Sequence, residues 1–177
     1  MNRKSGFTLL ELLVTIGILV VLMGIAIPAF STWLPNYRLK SAVMDIYSKC
    51  QHAKMMAVRT NRSHAVQFDT GTGDISVIDT VSGVTLMSTN LSDYDDGAGT
   101  IQFGNGDSTK DATDGTSWGG DFVTFGGTAN RLTFNPRGRC DAGYVYLSNA
   151  QGTAYNIGAQ SNTGLITMAK WKNGDWN

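Results

Sequence analysis

An unbroken apolar run near the start constrains this chain more than any other feature. It extends from Phe7 to Phe30, and its only ionisable side chain is Glu11. No charge follows from Leu12 to Tyr37. As a helix, the run reaches roughly 36 Å at ~1.5 Å per residue, enough to cross a bilayer. A buried core helix is usually shorter and keeps a polar face, whereas this one is apolar all round. Arg3 and Lys4 on its N-terminal flank put that end in the cytoplasm and the bulk of the chain across the membrane. A secretory signal has an apolar core of about 7 to 15 residues and then a small-x-small cleavage site. Here the run is longer and closes on Ala26-Ile27-Pro28-Ala29-Phe30, so an anchor fits better.

Glu11 is the residue an anchor leaves unexplained. A carboxylate in a membrane segment is costly unless paired, which makes it a functional candidate by default. A cut between Gly6 and Phe7 would create a Phe7 amine four residues before Glu11, able to neutralise it within one chain or between neighbours. The plain alternative is a first-turn acid complementing the helix dipole, worth ~0.3–1 kcal/mol.

The stretch Lys4-Ser5-Gly6-Phe7-Thr8-Leu9-Leu10-Glu11-Leu12 resembles the prepilin leader of type IV pilins and type II secretion pseudopilins. The resemblance implies cleavage between Gly6 and Phe7 by a prepilin peptidase and N-methylation of Phe7. It also implies that Glu11 neutralises the Phe7 amine of an adjacent subunit during assembly. The implied partners are other pilin or pseudopilin subunits, the peptidase and an inner-membrane assembly platform. The implied location is a single pass through the inner membrane with the head in the periplasm, or a periplasmic or extracellular filament. Many members carry a glycine eight residues before the proline that matches Pro28; here that position is Val20, with Gly17 and Gly24 nearby. Glycine can loosen a helix or let helices approach closely, and Pro28 removes one helical hydrogen bond.

Beyond the run, residues 31–60 stay helical but become amphipathic. Leu39, Val43, Ile46, Cys50, Ala53 and Ala57 recur at spacings of four and three, forming one apolar stripe. Arg38, Lys40, Asp45, Lys49, Lys54 and Arg59 mostly lie off it. Under three heptads is short for a coiled-coil seam, so the stripe is expected to pack on a sheet of the same chain. After Thr60-Asn61-Arg62-Ser63 the period changes to two. Strands are expected at 64–69, 74–79, 84–88, 100–103, 121–125, 131–135, 144–148, 153–157 and 165–169. Gly104–Gly120, rich in Gly, Asp, Ser and Thr, reads as a long exposed loop. The expected fold is α+β: a long N-terminal helix, half membrane and half amphipathic, packed on an antiparallel sheet or sandwich. Its parts are a leader (1–6), a membrane or filament-core helix (7–30), an amphipathic half (31–60) and a β-rich head (61–177). A long helix before an all-β head resembles the GspH/FimT branch of the superfamily, through Leu132-Thr133-Phe134-Asn135-Pro136-Arg137-Gly138 and the later Gly164-Leu165-Ile166. That branch implies a non-enzymatic minor pilin or pseudopilin.

The remaining constellations point less sharply. Cys50 lies on the stripe and Cys140 in a turn; outside the cytoplasm a disulfide is chemically permitted, and two separate small apolar side chains are the alternative. Asp93, Asp95, Asp96, Asp107, Asp111 and Asp114 gather around the Gly-rich segment, where calcium would want several oxygen ligands. Their spacing does not match a calcium loop, and solvated carboxylates are the favoured reading. His52 and His64 stand without a recognisable nucleophile, so no catalysis and no cofactor are expected. Arg131, Arg137 and Arg139 with Lys170-Trp171-Lys172 could make a basic, aromatic surface for DNA. Some FimT-type relatives take up DNA through a GRxR motif, but the matching stretch here is Gly164-Leu165-Ile166-Thr167, without either arginine. Losing Arg3 and Lys4 takes the formal charge from zero to −2, twelve cations against fourteen acids, which demotes DNA binding to the alternative.

Overall fold

The computed structural model describes residues 7–95, 97–113, 115, 120–125 and 130–177. By its internal contacts the chain divides into two units, Met1–Leu34 and Pro35–Asn177.

Helix α1, Leu9–Thr60, runs through both units. Thr8 starts it: its hydroxyl accepts the Glu11 N–H at 3.2 Å and its carbonyl accepts Leu12 N–H at 3.1 Å, the work of an N-cap. Asn61 ends it in the left-handed region at φ 53°, a conformation that asparagine tolerates. Between Leu9 and Phe30 the helix buries nothing, and its leucines, isoleucines, valines and Met23 are all exposed. Thr15 and Ser31 return their hydroxyls to the carbonyls of Leu12 and Pro28, at 2.8 and 2.9 Å. Satisfied that way, two polar side chains sit in an apolar segment at little cost.

The second unit holds two antiparallel sheets. The first has the order β3-β2-β1-β5, from β1 (His64–Phe68), β2 (Asp74–Asp79), β3 (Thr85–Asn90) and β5 (Arg131–Phe134). The second has the order β4-β6-β7-β8-β9, from β4 (Ile101–Phe103), β6 (Gly143–Asn149), β7 (Ala154–Ala159), β8 (Thr167–Lys172) and β9 (Asp175–Trp176). Every residue of the predicted helical stripe, Leu39, Val43, Ile46, Cys50, Ala53 and Ala57, is at most 1% exposed. They share one core with Phe68, Ile75 and Phe134 of the first sheet and Val145, Leu147 and Ile157 of the second. The helix therefore fills the head's core rather than merely supporting it.

The structure corrects three strand expectations and one loop expectation. Residues 121–125 form no strand, only a bridge between Val123 and Val145. β4 already pairs with Leu147–Asn149 on that edge of β6, so the segment reaches only the remainder, through Tyr146 N–H to Phe122 O and Thr124 N–H to Tyr144 O. The strand expected at 165–169 becomes Thr167–Lys172, because Gly164 turns at φ 75° and Ile166 dips into the core. The strand expected at 84–88 lies at Thr85–Asn90, with a bulge opposite Val77/Ile78. Segment 104–120 is not simply exposed, since Gly104 and Ser108 are buried. Its described part is laid over the second sheet by Asp107 N–H to Gly152 O at 2.8 Å and Ala112 N–H to the Tyr146 hydroxyl at 2.9 Å.

Candidate functional site

The N-terminal segment is the first candidate. Gly6, Arg3 and Lys4 lie outside the described residues. Phe7 is 73% exposed, and Glu11 stands in the first turn of α1, three residues after the capping threonine. Thr8-Leu9-Leu10-Glu11 is thus the S/T-x-x-E pattern that starts helices, a signal the sequence reading passed over. Its consequence is that Glu11 has a local role, complementing the helix dipole, whatever it meets during assembly.

What holds the head on α1 is a set of polar contacts that periodicity does not reveal. Lys49 is 7% exposed and pairs with Asp45 one turn earlier. The Tyr94 hydroxyl donates to the same Asp45 carboxylate at 2.5 Å, from the short 3-10 turn Leu91–Tyr94. Burial and that carboxylate push the tyrosine's ionisation well above its ordinary value, so it stays a donor. Lys54 Nζ donates to Gly164 O at 2.9 Å, and Asn149 Nδ2 to Asn36 Oδ1 at 3.1 Å. Apart from Lys49 and Asp45 on the same helix, the partners are far apart in sequence, so only the folded chain could show them.

The cysteines are both buried and both free thiols. Burial first, and the neighbouring Cys140 second, push the Cys50 thiol up to about 12. At any pH below 9 the thiolate fraction then falls about a thousandfold below an ordinary cysteine's, and reactivity follows the thiolate. We expect Cys50 to resist iodoacetamide in the folded chain, and a thiol-reagent count on the urea-unfolded chain to return two. A count of zero would mean a Cys50–Cys140 bridge.

The aspartates do structural work. Asp93 closes a capping box with Asn90. Asp111 accepts the Tyr146 hydroxyl at 2.5 Å and Thr113 N–H at 2.7 Å. Asp95 is buried; its Oδ2 accepts Thr100 N–H, Thr100 Oγ1 and Ile101 N–H at 2.5, 3.0 and 3.0 Å. Burial pushes that carboxyl up, but the Ile101 and Thr100 donors outweigh it and leave it below its ordinary value. Asp96 and Asp114 lie outside the described residues. Among the described residues, no three His, Cys, Asp or Glu side chains stand together to hold a metal. Because Asp95's folded value is depressed, its stabilisation is complete above the ordinary carboxylate range and is lost as pH falls through the lower folded value. Acid unfolding followed by tryptophan fluorescence is expected to begin below about pH 4 and to move to lower denaturant in Asp95→Ala, with neutral-pH stability down about 2 kcal/mol. Unchanged neutral stability would contradict this role.

The basic residues occupy different parts of the fold. Arg137 and Arg139 line an open pocket of about 360 Å³ with Asn135, Asp141 and Asn162, and Arg139 Nε donates to Asn162 O at 3.2 Å. Lys170 and Lys172 stand on β8, Lys170 over the Tyr155 ring at 5.8 Å. His64 is buried in β1, its Nδ1 3.2 Å from Arg62 O, while His52 lies on α1.

Residues 42–164 match the family described as type II transport protein GspH. The chain belongs to that family. Residues 1–27 of this GspH-family chain match the prokaryotic N-terminal methylation motif. The leader and the head thus each answer to the pilin and pseudopilin resemblance drawn from different residues. A curated relative, prepilin peptidase-dependent protein D of Escherichia coli K12, is 46% identical over 46 residues, 26% of this chain and 29% of that protein. The shared stretch spans less than a third of the relative. Two crystal structures of the type IV minor pilin FimU of Pseudomonas aeruginosa PAO1 also align. One has TM-score 0.49 at 16% identity over 82% of this chain and 96% of that one. The other has TM-score 0.47 at 13% identity over 78% and 96%.

Proposed function

We propose that this GspH-family chain is a non-enzymatic minor subunit of a type II secretion pseudopilus or a type IV pilus. It is made as a prepilin, cut between Gly6 and Phe7 by a prepilin peptidase and methylated on the new Phe7 amine. Before assembly it is anchored in the inner membrane through α1, with the head in the periplasm. The observation that carries this reading is the methylation motif over residues 1–27 on a helix whose leucines, isoleucines and valines between Leu9 and Phe30 are all exposed. Those side chains need lipid or other helices to cover them. In the assembled fibre, Glu11 would neutralise the Phe7 amine of a neighbouring subunit. An unpaired carboxylate among packed apolar helices is costly, which makes that pairing a check on correct insertion.

Glu11→Val tests the assembly step. The variant is expected to insert in the membrane and mature normally, but to enter sheared filaments at least tenfold less than the parent, a difference of about 1.4 kcal/mol. Equal incorporation would refute the neutralisation model. A clean deletion scored for both exoprotein release and surface pili then assigns the machine. Lost secretion with intact pili makes the chain a pseudopilin, and lost pili with normal secretion makes it a minor pilin.

A further inference from the structure

A hollow lies on the second sheet beneath the segment that Ala112 N–H ties to the Tyr146 hydroxyl. Its floor follows from the register. Gly158 stands opposite Tyr144 on one side and Thr167 on the other, and Asn156 stands opposite Ala169. Alternate residues of a strand share a face, so Asn156 and Gly158 look out on the same side. Gly158 has no side chain and Ala169 only a methyl, which leaves the face sunken beside Tyr144 and Asn156. The space is about 260 Å³, and Asp111, Tyr144, Asn156, Thr167, Asp175 and Trp176 are among the residues that line it.

The walls are fixed by contacts of their own. Asp111 Oδ1 accepts the Tyr146 hydroxyl at 2.5 Å and Thr113 N–H at 2.7 Å. The Trp176 indole donates to Lys110 O at 2.9 Å. Its ring packs against Tyr146 and Trp171, with centroids 5.5 and 5.2 Å away. A site held this way needs little ordering when it is filled.

The polar groups left unused define the occupant. Asn156 is 2% exposed. Its Oδ1 accepts Ala169 N–H at 3.1 Å, while its Nδ2 donates to no group among the described residues. An amide N–H this deep needs an acceptor from whatever fills the hollow. Asp111 and Asp175 accept at Oδ1 alone, Asp175 from Trp176 N–H at 2.8 Å, so each keeps Oδ2 as an acceptor. Burial holds the Tyr144 hydroxyl above its ordinary ionisation, so it stays protonated. Among the described residues no lysine or arginine lines the hollow.

We propose that this hollow binds one neutral sugar ring. A sugar hydroxyl both donates and accepts, so adjacent hydroxyls can donate to Asp111 or Asp175 and accept from Asn156 Nδ2. An ammonium group only donates and would leave Asn156 without an acceptor. A carboxylate or phosphate only accepts and would face two carboxylates. An apolar ligand would leave all three groups unpaired. Trp176 adds an aromatic wall, whose negative ring face attracts the weakly positive C–H bonds of a sugar. The hollow is smaller than the ~300–1,000 Å³ of pockets for drug-sized ligands, which suits a single ring. The inference goes beyond the fibre reading and does not rest on it.

The test titrates the isotope-labelled full chain in dodecylphosphocholine micelles, a detergent without a sugar. The probes are the methyl glycosides of glucose, galactose and N-acetylglucosamine, with glucuronate and n-butylammonium as charged controls. At least one glycoside is expected to bind with Kd of about 1–10 mM. Binding should shift the amides of Asn156, Thr167, Ala169 and Trp176, and the Nδ2 protons of Asn156. Both charged controls should bind at least about tenfold more weakly. Asn156→Asp keeps the acceptor that Ala169 uses and removes the donor, and should weaken the glycoside about tenfold or more. Asp175→Ala changes an exposed side chain, spares the core, and should weaken it about fivefold. No shift at Asn156 with any glycoside at about 50 mM overturns the proposal. So does undiminished affinity in Asp175→Ala, or a charged control that binds as tightly as the glycoside. None of these readouts requires cleavage or fibre entry, so failure here is separate from failure of the fibre reading.

Discussion

In Gly158→Ala the head is expected to lose about 3 kcal/mol or more, as added volume does in a packed core that cannot yield. A methyl at Gly158 would lie 2.0 Å from Gly143 O and 2.7 Å from Tyr144 Cα. Those are backbone atoms of β6, and Tyr144 is Gly158's partner in the ladder. No side chain can rotate away to make room, so β7 must separate from β6 at the centre of the second sheet. For a unit of this size each kcal/mol moves the midpoint by roughly 2–4 °C, so the melting temperature should fall by about 6–12 °C. Circular dichroism of the full chain in detergent reads this directly. A melting temperature within 2 °C of the parent, less than about 1 kcal/mol, would show that the two strands are not packed so closely.

The other large effect lies at the opposite end of the chain. Gly6→Val is expected to leave the entire membrane-extracted pool at precursor mass, six residues heavier than the mature chain and without a methyl on Phe7. The reason is steric: a peptidase that reads Gly6-Phe7 as its scissile pair must accommodate a β-branched side chain where there was none. Intact mass spectrometry distinguishes the two species. Mature, methylated chain from the variant would defeat the leader reading, and with it the origin of the free amine that Glu11 is proposed to meet.

How legible each part was follows from the range of the interactions. The stripe Leu39–Ala57 could be read because a helix buries one face at a 3.6-residue period, and all six predicted positions are in the core. β1 and β2 could be read because alternation and glycine turns are local. The segment 121–125 misled because its alternation is real but its partner edge is already taken by β4. Loop 104–120 misled because a Gly- and Asp-rich composition signals turns without saying what the turns lie on. Here Tyr146, Asp111 and the Trp176 indole, which donates to Lys110 O at 2.9 Å, draw it onto the sheet. β9 has two residues, too few for a period. At the candidate site, the leader motif is contiguous and could be read as a motif, though the capping role of Thr8 within it was passed over. The Lys49–Asp45–Tyr94 cluster could not be read, since Tyr94 lies 49 residues from Asp45 and only the fold brings them together.

The distance between α1 and what covers it also sets an order of events during synthesis. The helical stripe leaves the ribosome first, while Gly164, which Lys54 holds, follows 110 residues later. In the membrane-anchored chain proposed above, at ~5–20 residues per second, the stripe stays bare for roughly 5–20 s beside a bilayer that can accept apolar surface. Sheets closed by contacts this distant in sequence form slowly, so the wait outlasts translation itself. A nascent chain of this kind needs something to shield Leu39–Ala57 until β7 and β8 arrive. Depleting folding helpers on the side of the membrane where the head emerges should therefore lower its yield more than its final stability.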